Sequence, residues 1–275
     1  MRAQAQLRTL TAGGPATTLG GVRMSGDLRR DAAVRAAGPG GGFQLRLLGD
    51  FSLRHGHTYI ALSMGPRRLL AFLAINGPAP RSLIMGTLWP EVSEPHARGS
   101  LRTAMWRLHR STPCLLRPAG DILGLHPGML VDIWELRESA QAILRDASHV
   151  SIDWAVLCTR GELLPGWYDD WVIFEREWLR QLRLQALDAL AERLSAQGRY
   201  ADALQAAMEG ARIEPLREST NRMIIAIHLA EANAAEALRH YQFFRELLRT
   251  ELGLEPSARL TAMLPAAALQ ALAGR

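Results

Sequence analysis

Lysine is missing from this 275-residue chain, and all 32 basic residues are arginine. No phosphate-cradling Gly-x-x-x-x-Gly-Lys loop can therefore exist, and ATP-driven switching is not expected. Cysteine is scarce: Cys114 and Cys158 stand 44 residues apart with no second Cys or His at metal-ligand spacing, so neither a disulfide framework nor a zinc knuckle is available. Both are expected to be ordinary core thiols. No apolar run approaches the roughly 20 residues that cross a bilayer, and Met1 to Gly42 lacks the apolar segment of a secretory signal. The expected compartment is the cytoplasm, with no membrane partner. Catalytic spacing is also absent. His55 and His57 flank Gly56 but lack a third ligand, and Asp169, Asp170, Glu175 and Glu177 lie in an acid-rich helical stretch that suits a solvated face. No Ser-His-Asp or Cys-His arrangement has motif support. The chain is expected not to be an enzyme, with no catalytic residue, metal or cofactor.

What is present is length, apolar content and an uneven charge. A chain of 275 residues that is 48% hydrophobic buries a sizeable core, most naturally as two domains. Up to Leu125 there are 16 arginines against 6 acids, a balance of +10; from His126 onward 16 arginines face 21 acids, a balance of −5. A basic first half and an acidic second half fit one half facing nucleic acid and another doing something else.

Residues 1–42 are rich in Gly, Ala, Thr and Arg without a period and predict a disordered tail. Short alternating runs follow at Phe43–Leu48, Phe51–Arg54 and Tyr59–Leu62, split by Gly49-Asp50 and Gly56, which predicts a small antiparallel meander. Pro66 suits the first turn of a helix that Asn76-Gly77-Pro78 ends, and a second helix over Ser82–Leu88 closes at Trp89-Pro90. In the next helix, about 97–110, Leu101, Met105 and Leu108 recur at i, i+4 and i+7 and predict a buried stripe. Arg98, Arg102, Thr103, Trp106, Arg107 and Arg110 are left for its flanks and outer face, and Arg98 and Arg102 find no acid one turn away inside that helix. Leu115–Arg117 and Asp121–Leu125 bracket Pro118-Ala-Gly120 as a hairpin. From Ile133 helical periodicity dominates. Gln197-Gly-Arg-Tyr-Ala-Asp-Ala-Leu204 and Ala234-Ala-Glu-Ala-Leu238 place Ala203 and Ala237 at a spacing of 34, the period of a tetratricopeptide repeat, with Tyr200 and Tyr241 packing near the turns.

The expected fold is mainly α: a winged helix-turn-helix with a small β-meander and wing, followed by a tetratricopeptide-like α-helical domain. Its expected divisions are 1–42 (tail), 43–130 (winged helix), 131–264 (helical domain) and 265–275 (C-terminal tail). Leu47-Leu-Gly-Asp, Leu88-Trp-Pro and Leu101-Arg-Thr-Ala-Met-Trp-Arg-Leu-His-Arg110 with the hairpin resemble the OmpR-type winged helix. Glu162-Leu-Leu-Pro-Gly166, Trp171 before Glu175-Arg176, and Leu252-Gly-Leu-Glu-Pro256 look like the bacterial transcriptional activator domain. Together they are similar to the Streptomyces antibiotic regulatory protein family. His109 stands where that family's Arg-Leu-Arg-Arg pattern has a second arginine, and Trp106 replaces a small or basic residue.

The resemblance implies a sequence-specific DNA-binding activator that lies side by side on direct repeats of double-stranded DNA, forms a homodimer there and contacts RNA polymerase, in the nucleoid. It places Thr103 and Arg107 toward bases, Arg98, Arg102, Trp106 and Arg110 nearer the phosphates, and Arg117 at the wing. Trp89 is either a phosphate donor through its indole N–H or a core aromatic that ends its helix. The alternative is a helical adaptor that binds proteins or peptides without specific DNA recognition.

Overall fold

The computed structural model describes residues 42–145, 154–158 and 161–264. The expected tails, apart from Gly42, lie outside them. Strands β1 (Phe43–Arg46), β2 (Ser52–His55) and β3 (Thr58–Tyr59) form the antiparallel meander. Alternation buries Leu45 opposite Leu53. The next cross-strand pair, Phe43 and His55, stacks ring on ring at 4.4 Å, so His55 is half of an aromatic pair. Helix α1 (Met64–Asn76) follows, then β4 (Ala79–Pro80), α2 (Arg81–Leu88) and α3 (Glu94–Ser111). Strands β5 (Leu116–Ala119) and β6 (Ile122–Leu125) are the hairpin wing, and β4 pairs with β6 to make a second sheet. Two strands were not anticipated: β4, and β7 (Leu130–Val131), which runs parallel to β1 with Leu45 opposite Val131.

The helical half comprises α4 (Asp132–Leu144), α5 (Ala155–Cys158), α6 (Asp170–Ala196), α7 (Tyr200–Ile213), α8 (Glu218–Ala230), α9 (Ala234–Leu252) and α10 (Ala258–Thr261). Helices α6 to α9 pack in sequence as neighbours. The 34-residue spacing holds in space, since Ala203 and Ala237 are each the fourth residue of their helices and fully buried. Tyr241 is buried along α9, where its hydroxyl meets that of Thr261 at 3.2 Å. The turns before α7 and α9 also correspond: Gly198 has φ 73° and Ala232, 34 residues on, has φ 62°. A left-handed conformation costs a residue with a Cβ about 1–2 kcal/mol. Ala232→Gly is therefore expected to raise stability by about 0.5–1 kcal/mol and Gly198→Ala to lower it by a similar amount, both read by urea denaturation. No change from either substitution would remove the equivalence of the two turns.

The two halves share one hydrophobic core that runs from Leu45 through α1 and α4 to α7 and α8. Helix α1 is buried from Leu69 to Ile75 because α3 and β6 cover part of it and the helical half another, where Phe72 meets the Trp171 ring edge-on. Polar ties reinforce the contact. The Asp132 carboxylate, at the start of α4, accepts the backbone N–H groups of Leu47 and Leu48 at 3.0 Å. Trp134 Nε1 donates to the Ala74 carbonyl at 2.7 Å and Arg137 Nη1 to that of Ile75 at 3.1 Å, satisfying acceptors that the C-terminal end of α1 leaves open. Arg176 donates to the carbonyls of Leu163, Leu164 and Trp167 at 2.7–2.9 Å, holding Leu164 at φ 43° while its N–H pairs with Leu47 O at 2.8 Å.

Three sequence expectations change here. The acids Asp169 and Glu175 are not a solvated face: they pair with Arg68 of α1 and Arg137 of α4. Asp170 and Glu177 are exposed as expected; a side-chain hydrogen bond from Arg180 holds the Glu177 carboxyl at about 2. Cys114 is exposed, because it lies in the turn after α3, whereas Cys158 is partly buried and its thiol is pushed up to about 11, chiefly by burial and then by Glu209. Finally, the boundary expected after residue 130 falls inside β7.

Candidate nucleic-acid interface

Helix α3 carries the basic face. Pro95 stands in its first turn, where a missing N–H costs nothing, and Glu94 opposes the helix dipole there. Its buried residues are Ala97, Leu101, Ala104 and Leu108. The predicted stripe had Met105 in place of Ala104; Met105 is only half-buried at the stripe's edge, where Arg81 Nη1 donates to its sulfur at 3.3 Å. The small Ala104 allows α1 to approach, which turns the buried side by roughly a tenth of a turn from the sequence expectation.

That rotation decides what faces outward. At about 100° per residue, the positions opposite Ala97, Leu101, Ala104 and Leu108 are Gly99, Thr103, Trp106 and Arg110. Trp106 is 54% exposed, with the Arg110 guanidinium 4.8 Å over its ring. Thr103 donates its hydroxyl proton to Gly99 O at 2.9 Å, which leaves its lone pairs as acceptors. Arg102 lies toward one flank. Arg107, expected to face outward, lies on the other flank and donates through Nη1 to Ser63 Oγ at 3.1 Å, at the residue preceding α1. Arg98 does have an acidic partner, contrary to the sequence reading, because the helix begins at Glu94, three residues before the expected start: Glu94 meets it at 2.6 Å, with both side chains about 70% exposed. Such an exposed pair is worth little and exchanges readily for another anion. Among the described residues Arg102, Arg107, Arg110 and Arg117 form no ion pair.

An open groove runs beside α3, lined by Gly65 and Pro66 of α1, Trp89, His96, Gly99, Thr103 and Arg107. Trp89 ends α2 half-buried against the core and also borders this groove, so its two sequence readings meet in one side chain. Arg117 projects exposed from β5, on the wing. Sequence reasoning missed Gly99 and Ser63. The signal for Gly99 was a glycine inside a basic helix, a costly choice without a use for the missing Cβ. Around the described part of this surface there is no cluster of three or more residues able to hold a metal.

Residues 132–266 match the family described as the bacterial transcriptional activator domain. The chain is 26% identical over 246 residues to the regulatory protein DnrI of Streptomyces peucetius, covering 79% of this chain and 89% of that protein. It is 28% identical over 216 residues to the regulatory protein AfsR of Streptomyces coelicolor, covering 74% of this chain but 22% of that longer protein. Among solved structures, EmbR of Mycobacterium tuberculosis, determined with a low-affinity phosphopeptide, superposes with a TM-score of 0.57 at 20% identity over 84% of this chain and 69% of that one. That last likeness is one of fold.

Proposed function

We propose that this chain, matched to the bacterial transcriptional activator domain over residues 132–266, is a Streptomyces antibiotic regulatory protein-like transcription regulator and binds specific double-stranded DNA through α3. The observation that carries the reading is the arginine face of α3, on which Arg102, Arg107 and Arg110 have no acidic partner among the described residues and Arg98 has only the exposed Glu94, and whose direction is fixed by a buried stripe on the opposite side. Helix α3 enters the major groove, Arg102, Arg107 and Arg110 reach phosphates or base edges, and Arg117 of the wing meets the adjacent minor groove. Arg98 joins them by exchanging Glu94 for phosphate. Thr103 accepts from a base amino group, and Trp89 donates its indole N–H to a phosphate. Two chains lie side by side on a direct repeat, and their helical domains hold the dimer and contact RNA polymerase in the nucleoid.

Selection of bound fragments from the source genome, followed by footprinting, tests this. The expected result is a repeated motif with half-sites about one helical turn, 10–11 base pairs, apart. Recovery of no reproducible site would overturn the reading in favour of a protein-binding adaptor.

Gly99 supplies a second test. A Cβ there would meet nothing within 4 Å. Gly99→Ala should therefore stabilise α3 by about 0.5–1 kcal/mol. Where the DNA closes over that position, the same methyl group should weaken binding on the order of tenfold, within the usual overpacking cost of about 1–3 kcal/mol. A variant that is more stable and binds as tightly as the wild type would place Gly99 outside the interface.

A further inference from the structure

We propose that Trp106 is the specificity-determining side chain of α3 and reads the methyl group of a thymine in the major groove, with Arg110 as its positioning partner. The inference rests on the DNA-binding reading above and assigns Trp106 to the bases, where its family resemblance placed it nearer the phosphates.

Three observations carry it. Trp106 occupies the middle of the outward face, directly opposite the Ala97, Leu101, Ala104 and Leu108 stripe, so a helix inserted in a groove brings it to the floor rather than the walls. It is also the large apolar side chain of that face, more than half exposed among arginines, a placement that leaves a broad hydrophobic surface in water until something covers it. Its ring is oriented: the Arg110 guanidinium lies over it at 4.8 Å, and more than half of the side chain stays exposed for contact beside an open recess lined by Ala61, Leu62 and Ser63. Arg107, the competing base reader, is turned aside to Ser63.

The floor of the major groove presents donors and acceptors at every base pair and one kind of apolar group, the thymine C5-methyl. The broad apolar face of an indole at the centre of α3 thus matches that methyl, and its single N–H donor sits at the ring edge. Arg110 keeps its charge while stacked and remains able to contact a phosphate or a neighbouring guanine.

The test is a thymine-to-uracil scan across the selected site, which removes one methyl group at a time and changes no hydrogen bond. The wild type should lose about fourfold in affinity at one position per half-site, the equivalent of about 0.8 kcal/mol for one buried methyl group. Trp106→Ala should bind thymine and uracil alike at that position while retaining the salt dependence of the wild type, since no charge is removed. Trp106→Phe should retain part of the methyl preference. Circular dichroism checks that both variants fold, as expected for an exposed position. A wild type indifferent to uracil throughout, or a Trp106→Ala variant that keeps full discrimination, overturns the assignment while leaving steep, salt-dependent binding to the site intact. A wild type that selects no sequence overturns the DNA-binding reading and this inference with it.

Discussion

A chain that stops after residue 130 is expected not to fold, whereas one spanning residues 43–264 unfolds as a single cooperative unit. Truncation removes Val131 from β7 and Ile133 and Leu136 from the shared core. It also removes the Asp132 carboxylate from the N–H groups of Leu47 and Leu48, and Trp134 and Arg137 from the last carbonyls of α1. Each buried polar group left without a partner costs about 1–3 kcal/mol, so four such losses with the apolar contacts match the roughly 5–15 kcal/mol that a domain has in total. The point substitution Asp132→Ala isolates part of this and should cost about 2–5 kcal/mol. Amide dispersion in a nitrogen–proton spectrum of the 43–130 fragment is the readout. A dispersed spectrum with a cooperative thermal transition would show that the first half is self-contained.

The second large effect concerns charge. Replacing Arg102, Arg107 and Arg110 together by Ala should lower the magnitude of the log–log salt slope by about three and weaken binding on the order of a hundredfold at physiological salt, since each arginine releases one condensed counterion. Singly, Arg107→Ala should weaken specific and scrambled duplexes by the same factor, because its place beside Ser63 puts it toward the groove wall. A selective loss on the specific site would return Arg107 to the base-reading role that the sequence pattern suggested.

The order of elements and the 34-residue helical repeat were legible because turn residues and apolar periodicity are local signals. The basic face was legible for the same reason. Its rotation was not: periodicity ranks Met105 above Ala104 by size, but close helix packing favours the smaller side chain. Nor could spacing reveal that Asp132 and Asp169 tie the halves together, since their partners lie 84 to 101 residues away. Glu94 was missed for a different reason, a helix start three residues earlier than the expected 97. The strand β7 is two residues long and gives no alternation to detect.

The central claim is that α3 grips specific DNA, and titration of the full chain on its selected site and on a scrambled duplex at several salt concentrations tests it most directly. With about five phosphates neutralised by Arg98, Arg102, Arg107, Arg110 and Arg117, the log–log slope should lie near −4.5, and the selected site should be preferred by about a thousandfold or more. A slope near zero with equal affinity for both duplexes would contradict the account.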